Sequence, residues 1–462
     1  MFNKTIYQSR RKTLKESVKK GIILIPGNVD VPMNYPANTY HFRQDSNFLY
    51  FFGLDQQKLI GIMDIDNDKD YIFGDDVSLD GIIWMGPQPS ISERSEKAGV
   101  KNTAPYNQAY DFIKKAISEK RTVHFLPQYR AENKLMLEKL LDIRVDELPK
   151  NVSTDLIRGV VELRSVKGPE EIAELEKVME TAYEMHTTAM KMAKPGIYER
   201  EISGAVEGIA LAKGGMLSFP IILTVNGETL HNHYHGNILQ DGQMLLVDTG
   251  TESELHYASD HTRTFPVSGK FTSKQKDIYN IVLRSQLRAI DAIKPGISFK
   301  SIHLLAMEEI ASGLRDLELM KGDIKAAVEK GAHALFMPHG LGHMMGLDVH
   351  DMEDLGENFV GYDDEVKRAD QFGTAFLRLG RKLKAGYVLT VEPGIYFIPA
   401  LIDKWEKEGL HKEHINYDKV RKFIGFGGVR IEDDILVTEN GCRVLGKPIP
   451  KTVEEIEEIM KK

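Results

Sequence analysis

Three histidines crowd the stretch MPHGLGHMMGLDVHD, which runs from Met337 to Asp351. The spacing of His339 and His343 is the one at which a helix brings two histidines to one zinc ion. Two glycines lie between them, however, and each glycine costs a helix interior about 1 kcal/mol relative to alanine. We therefore expect these histidines and His350 to project from a strand or an irregular glycine-rich segment, where they could bind a metal or move a proton.

Carboxylates interrupt several apolar runs that otherwise resemble buried strands. They are Asp248 in MLLVDTG, Asp260 in HYASDHTRTFPV, Glu392 in VLTVEPGIYF and Glu432 in GGVRIEDDILV. Each alone could be an edge residue or a solvated strand end, because an unpaired buried charge is very costly. On neighbouring strands they would repel one another unless cations neutralised them. The set therefore predicts a metal centre rich in oxygen ligands with one imidazole.

The donor types narrow the choice of metal. Carboxylates with a single histidine suit catalytic Mn²⁺, Co²⁺ or Zn²⁺ better than structural zinc, which prefers cysteine and histidine. The set exceeds the needs of a single ion, so we expect two divalent ions about 3.5–4 Å apart, bridged by carboxylates. Mn²⁺ is the first expectation, with Co²⁺ and Zn²⁺ as alternatives.

The elements that must position these residues fall into two parts. In the first, short β-branched runs such as Ile22–Ile25 alternate with helical patterns, which is typical of an α/β domain with a mixed or parallel sheet. The pattern changes at RSVKGP, where Pro169 begins a long helix that we expect to run to Ala193. We therefore predict an N-terminal domain at residues 1–165 and a second domain at residues 166–462.

An internal similarity marks the second domain. AMKMAKPGIYEREI, from Ala189 to Ile202, resembles AIDAIKPGISFKSI, from Ala289 to Ile302. Each combines a helix end, a Lys-Pro-Gly stop and the start of a second helix. This similarity predicts two related αα units and a pseudo-twofold domain. The alternative is two unrelated helix ends that share common stop residues.

Apolar runs between and after these helices predict a largely antiparallel sheet, so the second domain is α+β. The predicted strands that carry the acids are Met244–Thr249, Leu255–Val267, Val388–Glu392 and Val429–Val437.

Composition excludes several classes of protein. The chain of 462 residues has 60 basic and 68 acidic side chains, and its charge of -8 argues against a nucleic-acid or anionic-membrane binder. Its single cysteine, Cys442, cannot form an intrachain disulfide. No run approaches the ~20 apolar residues of a membrane span, and the start lacks an apolar core of signal-peptide length. We predict a cytoplasmic protein.

Four motifs in order carry a family resemblance: VDTG…SDHTRTFPVSGKFT, MPHGLGHMMGLDVHD, VLTVEPGIYF and GGVRIEDDI. Together they resemble the pita-bread metallopeptidases, and more narrowly the aminopeptidase P and prolidase (Xaa-Pro dipeptidase) branch. HFRQDSNFLYFFGLD and IIWMG are similar to the N-terminal domain of that branch. The resemblance implies an α/β N-terminal domain of the aminopeptidase P type, followed by an α+β pita-bread (creatinase/aminopeptidase-like) catalytic domain.

The resemblance also implies a ligand set. Asp248 resembles the aspartate that chelates one metal, and Asp260 and Glu432 resemble the bridging carboxylates. His343 resembles the single imidazole ligand, and Glu392 resembles the glutamate that is both ligand and proton acceptor. Between the two aspartates this chain has one residue more than the family pattern, and we expect the turn TESEL to absorb it.

Further residues resemble the substrate-side groups of the family. His350 resembles the histidine that steadies the tetrahedral intermediate, and His231 resembles a second substrate-binding histidine. Arg378 resembles the prolidase arginine that binds the proline carboxylate. Arg430 is expected to orient the carboxylates, with a weak surface ion pair as the alternative. For His339 we expect a structural role.

The implied activity is hydrolysis of the Xaa-Pro bond in small peptides. Arg378 and the long insert after EPGIYF favour the dipeptidase, and aminopeptidase P acting on longer peptides is the alternative. A non-catalytic pita-bread binding module is a third alternative, but it predicts broken metal positions, and those positions are intact here. The family also implies a homo-oligomer, a dimer or tetramer.

Two further features leave alternatives open. Trp84 could line a substrate site or pack inside its domain. Residues 353–373 could form a mobile cover or a solvated loop.

Overall fold

The computed structural model describes residues 1–461, which divide into two compact units. The first unit contains Met1–Arg164 together with Glu353–Phe359, and the second contains the other described residues. The predicted division assigned residues 353–359 to the second domain, whereas the structure groups them with the first. Within residues 1–461, every helix is too short or too polar to span a lipid bilayer.

The α-helices occur throughout the chain. They are α1 Lys4–Val18, α2 Ser46–Phe52, α3 Leu79–Met85, α4 Ile91–Lys97, α5 Gln108–Ser118, α6 Ala131–Leu141, α7 Leu148–Asn151, α8 Thr154–Ser165, α9 Pro169–Met192, α10 Glu199–Ala212, α11 Ser273–Asp291, α12 Phe299–Asp316, α13 Ile324–Glu329, α14 Glu357–Val360, α15 Pro399–Glu408, α16 Tyr417–Val420 and α17 Val453–Ile459.

The strands are mostly short. They are β1 Ile22–Pro26, β2 Pro32–Tyr35, β3 Asn38–Thr39, β4 Ile60–Asp64, β5 Lys69–Phe73, β6 Asn102–Ala104, β7 Val123–His124, β8 Ile222–Thr224, β9 Met244–Thr249, β10 His261–Pro266, β11 Val388–Val391, β12 Gly394–Tyr396, β13 Gly428–Arg430, β14 Asp433–Val437 and β15 Cys442–Val444.

The first unit is built on a mixed sheet with the strand order β6-β5-β4-β1-β7. β1 runs antiparallel to β4 and parallel to β7, and β5 runs parallel to β6. Ile113 of α5 and Leu137 of α6 pack with Ile22 and Ile62 of the sheet in one buried cluster. The prediction of an α/β domain with a mixed sheet is therefore confirmed.

Helix α3 of the first unit is apolar yet exposed. None of its residues is buried, and Trp84 is 83 % exposed. The alternative that Trp84 packs inside its domain is therefore wrong. Large exposed apolar patches are uncommon on monomers and often mark interaction surfaces.

The strands of the second unit pair antiparallel, as predicted, in the orders β10-β9-β8, β11-β14-β15 and β12-β13. Two predicted strands were too long. The strand expected at Leu255–Val267 begins only at His261, and the strand expected at Val429–Val437 is interrupted between β13 and β14. Each error falls beside a predicted metal ligand.

The interruption follows from Pro393, which has no N–H to donate to a ladder. β11 pairs with β14 before this proline, and β12 pairs with β13 after it. At the break, the Glu432 N–H turns away to donate to the Thr262 carbonyl oxygen at 3.0 Å. Glu392 and Glu432 therefore lie opposite each other where two ladders meet.

The internal repeat is visible in matching hydrogen bonds. Gly196 N–H donates to the Leu239 carbonyl and Gly296 N–H donates to the Leu383 carbonyl, each at 2.8 Å. Both glycines have positive φ, 94° and 87°, a conformation that favours glycine. The two helix pairs, α9 with α10 and α11 with α12, follow the same path around these turns. The predicted pseudo-twofold repeat is confirmed, and the alternative of unrelated helix ends is wrong.

Candidate metal centre and substrate cavity

The histidine-rich stretch is irregular, as its glycines predicted. Residues 337–350 lie within the described chain and contain no helical turn. A Cβ on Gly342 would lie 2.0 Å from the Thr390 carbonyl oxygen, and a Cβ on Gly340 would lie 2.7 Å from Leu377 Cα. The glycines therefore allow this stretch to press against neighbouring backbone, which places His343 beside the end of β11.

A cavity of about 570 Å³ in the second unit collects the predicted site residues. Its lining includes Asp248, Asp260, His343, Glu392, Glu432, His231, His350, Arg378 and Arg430. His339 also lines the cavity, so its side chain faces the same space as the predicted site residues.

Two of the four acids, Asp260 and Glu432, lie close enough to each other and to His343 to share a cation. Ligand atoms of Asp260, His343 and Glu432 all lie within 4.8 Å of one another. His343 Nε2 lies 3.4 Å from Asp260 Oδ2 and 3.9 Å from Glu392 Oε1. Asp248 lines the same cavity, and among the described residues no hydrogen-bond donor reaches its buried Oδ1.

The hydrogen bonds of His343 assign its tautomer. Nδ1 lies 3.0 Å from the Met344 carbonyl oxygen, which can only accept, so Nδ1 carries the proton. Nε2 then directs a lone pair towards carboxylate oxygens. Lone pair and carboxylates repel one another unless a cation lies between them, and the second nitrogen is oriented as in metal-bound histidines. The donor set therefore fits a divalent metal.

Burial raises the pKa of the clustered acids. The pKa values of Asp260 and Glu432 lie well above the usual range because both are buried and face other carboxylates. Burial also raises the pKa of Glu392 to about 7, with His343 opposing the shift. The protein itself supplies too little positive charge to this cluster, which is the electrostatic signature of a site completed by cations.

The hairpin of β9 and β10 positions the two aspartates. Asp248 pairs with Thr262 in register, and Asp260 precedes β10 by one residue, so alternation puts Asp260 and Thr262 on the same face. The β9–β10 ladder is continuous from Met244 to Thr249 and shows no register shift. This agrees with the expectation that an extra residue is absorbed in the turn between the two strands.

Arg430 is buried, and the alternative of a surface ion pair is wrong. Its Nη2 lies 2.6 Å from Asp248 Oδ2, and its Nε donates to Thr262 Oγ1 at 3.1 Å. Thr262 Oγ1 in turn donates to Glu432 Oε2 at 2.7 Å. Arg430 and Thr262 therefore link and orient two of the predicted ligands.

A second chain of hydrogen bonds gives His339 a defined place. Its Nδ1 donates to the Gly340 carbonyl at 2.8 Å, so its Nε2 accepts the Tyr396 hydroxyl at 2.9 Å. The Tyr396 oxygen accepts Nη1 of Arg430 at 2.9 Å. Burial lowers the pKa of His339 to about 3, so the ring is neutral. The bonds agree with a structural role, although the ring also faces the cavity.

Sequence reasoning missed some residues of the site. Thr262 follows Asp260 by two residues, and strand alternation is the signal that could have revealed it. Phe372 and Phe376 line the cavity although they are 43 % and 53 % exposed. They lie in or beside the segment for which a mobile cover and a solvated loop were both considered. No pattern in that segment distinguishes them from surface aromatics.

The substrate-side candidates surround the same cavity. Burial lowers the pKa values of His231 and His350, so both rings are neutral near pH 7. The His350 ring stacks on His343, with centroids 3.8 Å apart and planes 13° apart. Arg378 is half-buried, and burial lowers its pKa. A guanidinium here suits an anionic group of a ligand.

Comparisons with known proteins extend over both units. Residues 173–439 match the model of metallopeptidase family M24, and residues 7–124 match the aminopeptidase P N-terminal domain. The Xaa-Pro dipeptidase of Homo sapiens is 34 % identical over 455 residues, covering 96 % of this chain and 90 % of that protein. A probable Xaa-Pro aminopeptidase of Sordaria macrospora is 31 % identical over 448 residues, covering 95 % and 91 %.

A solved structure agrees with these relatives. The zinc-substituted aminopeptidase P of Escherichia coli in complex with product superposes with a TM-score of 0.81 at 29 % identity. The match covers 99 % of this chain and 98 % of that chain.

The fold and the site together define a two-domain metallopeptidase of pita-bread architecture. The matched model covers more than half of the chain, and relatives above 30 % identity cover nearly all of it. The chain belongs to metallopeptidase family M24, in the branch that contains aminopeptidase P and prolidase.

Proposed function

We propose that this metallopeptidase hydrolyses the Xaa-Pro bond of small peptides and acts mainly as an Xaa-Pro dipeptidase. The observation that carries the proposal is that the proposed metal ligands, most of them carboxylates, and Arg378 line one cavity. The named activity of the human relative, a dipeptidase, supports the same choice.

The metal centre that we propose uses Asp248, Asp260, His343, Glu392 and Glu432 as ligands of two divalent ions, Mn²⁺ first. Asp260 and Glu432 would be shared between the two ions, because each faces other proposed ligands of the cluster. Bound ions would lower the pKa of a water molecule from about 15.7 toward about 7, which makes it a nucleophile at neutral pH. Oxygen-rich sites accept several divalent ions, so Co²⁺ and Zn²⁺ are alternatives.

Glu392 is the proposed proton acceptor. Burial raises the pKa of Glu392 to about 7 in the metal-free protein, and bound ions would favour the ionised carboxylate, which can accept a proton. Glu392 would take a proton from the attacking water and pass it to the departing proline nitrogen. That nitrogen has no hydrogen of its own in the peptide bond, so cleavage depends on a proton source close by.

His350 and His231 are the proposed substrate-side histidines. A neutral imidazole retains one N–H, so His350 can donate to the carbonyl oxygen as it gains negative charge. His231 can bond the substrate backbone. Apolar lining residues, among them Phe219, Ile222 and Leu230, provide surface for the proline ring.

Arg378 supports the dipeptidase over the alternative. A guanidinium binds a carboxylate through two parallel hydrogen bonds, and in an Xaa-Pro dipeptide the proline carboxylate lies next to the scissile bond. A longer peptide lacks a carboxylate at that place. Aminopeptidase P activity remains the second candidate, because the fungal relative carries that name.

We also propose a homo-oligomer, a dimer or tetramer. The exposed apolar face of helix α3, which includes Leu79 and Trp84, supports it. Sedimentation of the purified protein tests this point: a monomer at micromolar concentration would contradict it.

The test of function compares Gly-Pro with Gly-Pro-Pro as substrates of the Mn²⁺-loaded protein. A dipeptidase cleaves the first and spares the second, and Arg378→Lys should raise KM for Gly-Pro by about 10- to 100-fold through loss of bidentate binding. Arg315→Lys, an exposed arginine outside the cavity, is the matched control. Good turnover of Gly-Pro-Pro would favour aminopeptidase P, and turnover of neither would favour a binding module.

A further inference from the structure

A buried ion pair lies directly behind the histidine-rich stretch. Lys167 Nζ is 2.8 Å from Asp351 Oδ2, and each side chain is 1 % exposed. Burying two charges carries a large desolvation cost, and well-packed apolar residues in their place often stabilise a protein equally well or better. A buried ion pair of this kind therefore calls for an explanation other than general stability.

Both partners are anchored to elements of the metal centre. The Lys167 N–H donates to the Gly386 carbonyl at 2.8 Å, two residues before β11, the strand that ends next to Glu392. The Asp351 N–H donates to the Met344 carbonyl at 2.9 Å, beside His343. The pair therefore ties the stretch that carries the histidines to the strand that carries the proposed proton acceptor.

The ion pair packs tightly against Gly346. A Cβ on this glycine would lie 2.7 Å from Asp351 Oδ2 and 2.7 Å from Lys167 Cε. The backbone of Gly346 is itself held, because its carbonyl accepts the Ala258 N–H at 2.8 Å. The ion pair therefore fills the inside of the turn between His343 and His350, and the turn cannot close further.

The turn determines where the His350 ring lies. His350 immediately precedes Asp351 in the chain, and its ring stacks on His343 with centroids 3.8 Å apart. The Asp351 N–H anchors the end of this turn to the Met344 carbonyl, so we expect a change at Asp351 to move His350 relative to His343. The ring of a substrate-side histidine must be placed to within a fraction of an ångström, because small misplacements cost large factors in rate.

We propose that Lys167 and Asp351 are positioning residues that hold His350 over His343 for the reaction. The proposal rests on the role proposed above for His350. Neither residue lines the cavity, so both act through the turn and not by touching substrate.

The test uses the neutral double variant Lys167→Met/Asp351→Asn, because either single change removes the countercharge of a buried ion and unfolding could follow. The double variant should fold and bind Mn²⁺ as the wild type does. Its kcat for the best Xaa-Pro substrate should fall by about 10- to 100-fold, with a smaller change in KM. Lys15→Met, which removes a largely buried lysine from an ion pair in the first unit, is the control and should leave kcat unchanged.

A cycle with His350→Ala separates positioning from a general structural effect. If the pair acts through His350, adding the double change to His350→Ala should lower kcat by no more than about twofold. Wild-type kcat in the double variant, or losses that multiply on the His350→Ala background, would overturn the proposal.

A readout independent of activity is the crystal structure of the double variant. The stack of His350 on His343 should be lost or displaced, and an unchanged stack would overturn the proposal. If the wild type cleaves no Xaa-Pro peptide, the proposed function fails, and the ring geometry alone then decides whether the pair positions His350.

Discussion

Two neighbouring acids, Glu432 and Asp433, lie on opposite faces of the same buried segment and meet opposite surroundings. Asp433 contacts Arg263 at 2.6 Å and Lys451 at 2.6 Å. Glu432 lies among other carboxylates, with Asp260 close enough to share a cation. Both residues are 2 % exposed, so burial is the same and only the partners differ.

The difference appears in the pKa values. Burial alone would raise the pKa of Asp433, but Arg263 and Lys451 hold it well below the usual range. Burial and neighbouring carboxylates raise the pKa of Glu432 well above it. One acid is neutralised by the protein's own cations, whereas the other faces further acids, as expected of the metal ligand that we propose. Burial alone therefore does not distinguish a metal ligand from an ion-pair partner; the charges of the neighbouring side chains do.

The largest effect should come from removing a proposed bridge. Asp260→Ala should abolish metal binding and reduce peptidase activity to background, while the fold is kept, because the change also removes like-charge repulsion. Elemental analysis, activity and circular dichroism measure these outcomes together. A fully active Asp260→Ala protein would show that Asp260 does not bridge.

The next prediction compares substitutions of Asp433 and Glu432, the two acids with opposite surroundings. Asp433→Asn leaves Arg263 and Lys451 without a full countercharge, so it should destabilise the protein by about 3–5 kcal/mol while metal binding is kept. Glu432→Gln should do the reverse: the metal-free protein becomes more stable at pH 7, and metal affinity is lost. Urea unfolding of metal-free samples, with metal titrations, measures both. A change of the same sign in the free energy of unfolding of both metal-free variants would contradict the comparison.

A smaller effect is the pH dependence that Glu392 imposes on the metal-free protein. Its folded pKa is about 7 against an ordinary value of 4.5, so the folded state binds the extra proton. The free energy of unfolding therefore falls as pH rises from 4.5 to 7. We expect a fall of about 2 kcal/mol, less than the full shift would give, because the side chain is 19 % exposed and solvent screens its charge. Metal binding should release this proton.

The measurement is urea unfolding of metal-free wild type and Glu392→Gln at pH 5 and pH 8. The difference between the two proteins should grow with pH in favour of the variant. Glu180→Gln, an exposed glutamate of α9, is the control and should track the wild type. A constant difference would mean that Glu392 is ionised throughout.

The last effect concerns a buried histidine away from the carboxylates. Burial lowers the pKa of His303 to about 3, and neither ring nitrogen has a hydrogen-bond partner among the described residues. The unfolded chain binds the proton below pH 6.5, so stability is present above that pH and is lost as pH falls. The expected slope is about 1.4 kcal/mol per pH unit.

Thermal or urea unfolding between pH 7 and pH 5 tests this expectation. His303→Phe should flatten the slope, whereas His41→Phe, at an exposed position, should not. An unchanged slope in His303→Phe would mean that other groups set the acid limit of stability.

Much of the site was readable because its residues are unusual where they stand. Acids such as Asp248 and Glu392 within or beside apolar runs are costly unless something compensates them, and this cost makes them visible in a bare sequence. The glycines beside His343 likewise excluded a helix. Thr262 and Phe372 carry no such cost, since threonine is common in strands and aromatics are common on surfaces.

The sequence by itself determined the mixed sheet of the first unit, the repeated helix pairs around Gly196 and Gly296, and the set of acids and histidines that needs a metal. These follow from local rules: side-chain periodicity, glycine conformation and the cost of burying charge. Only the tertiary structure decided that the predicted strand around Glu432 breaks opposite Pro393, that Asp433 faces Arg263, and that Lys167 reaches Asp351 across 184 positions of chain. Such contacts depend on which distant segments pack together, and no local pattern encodes that packing.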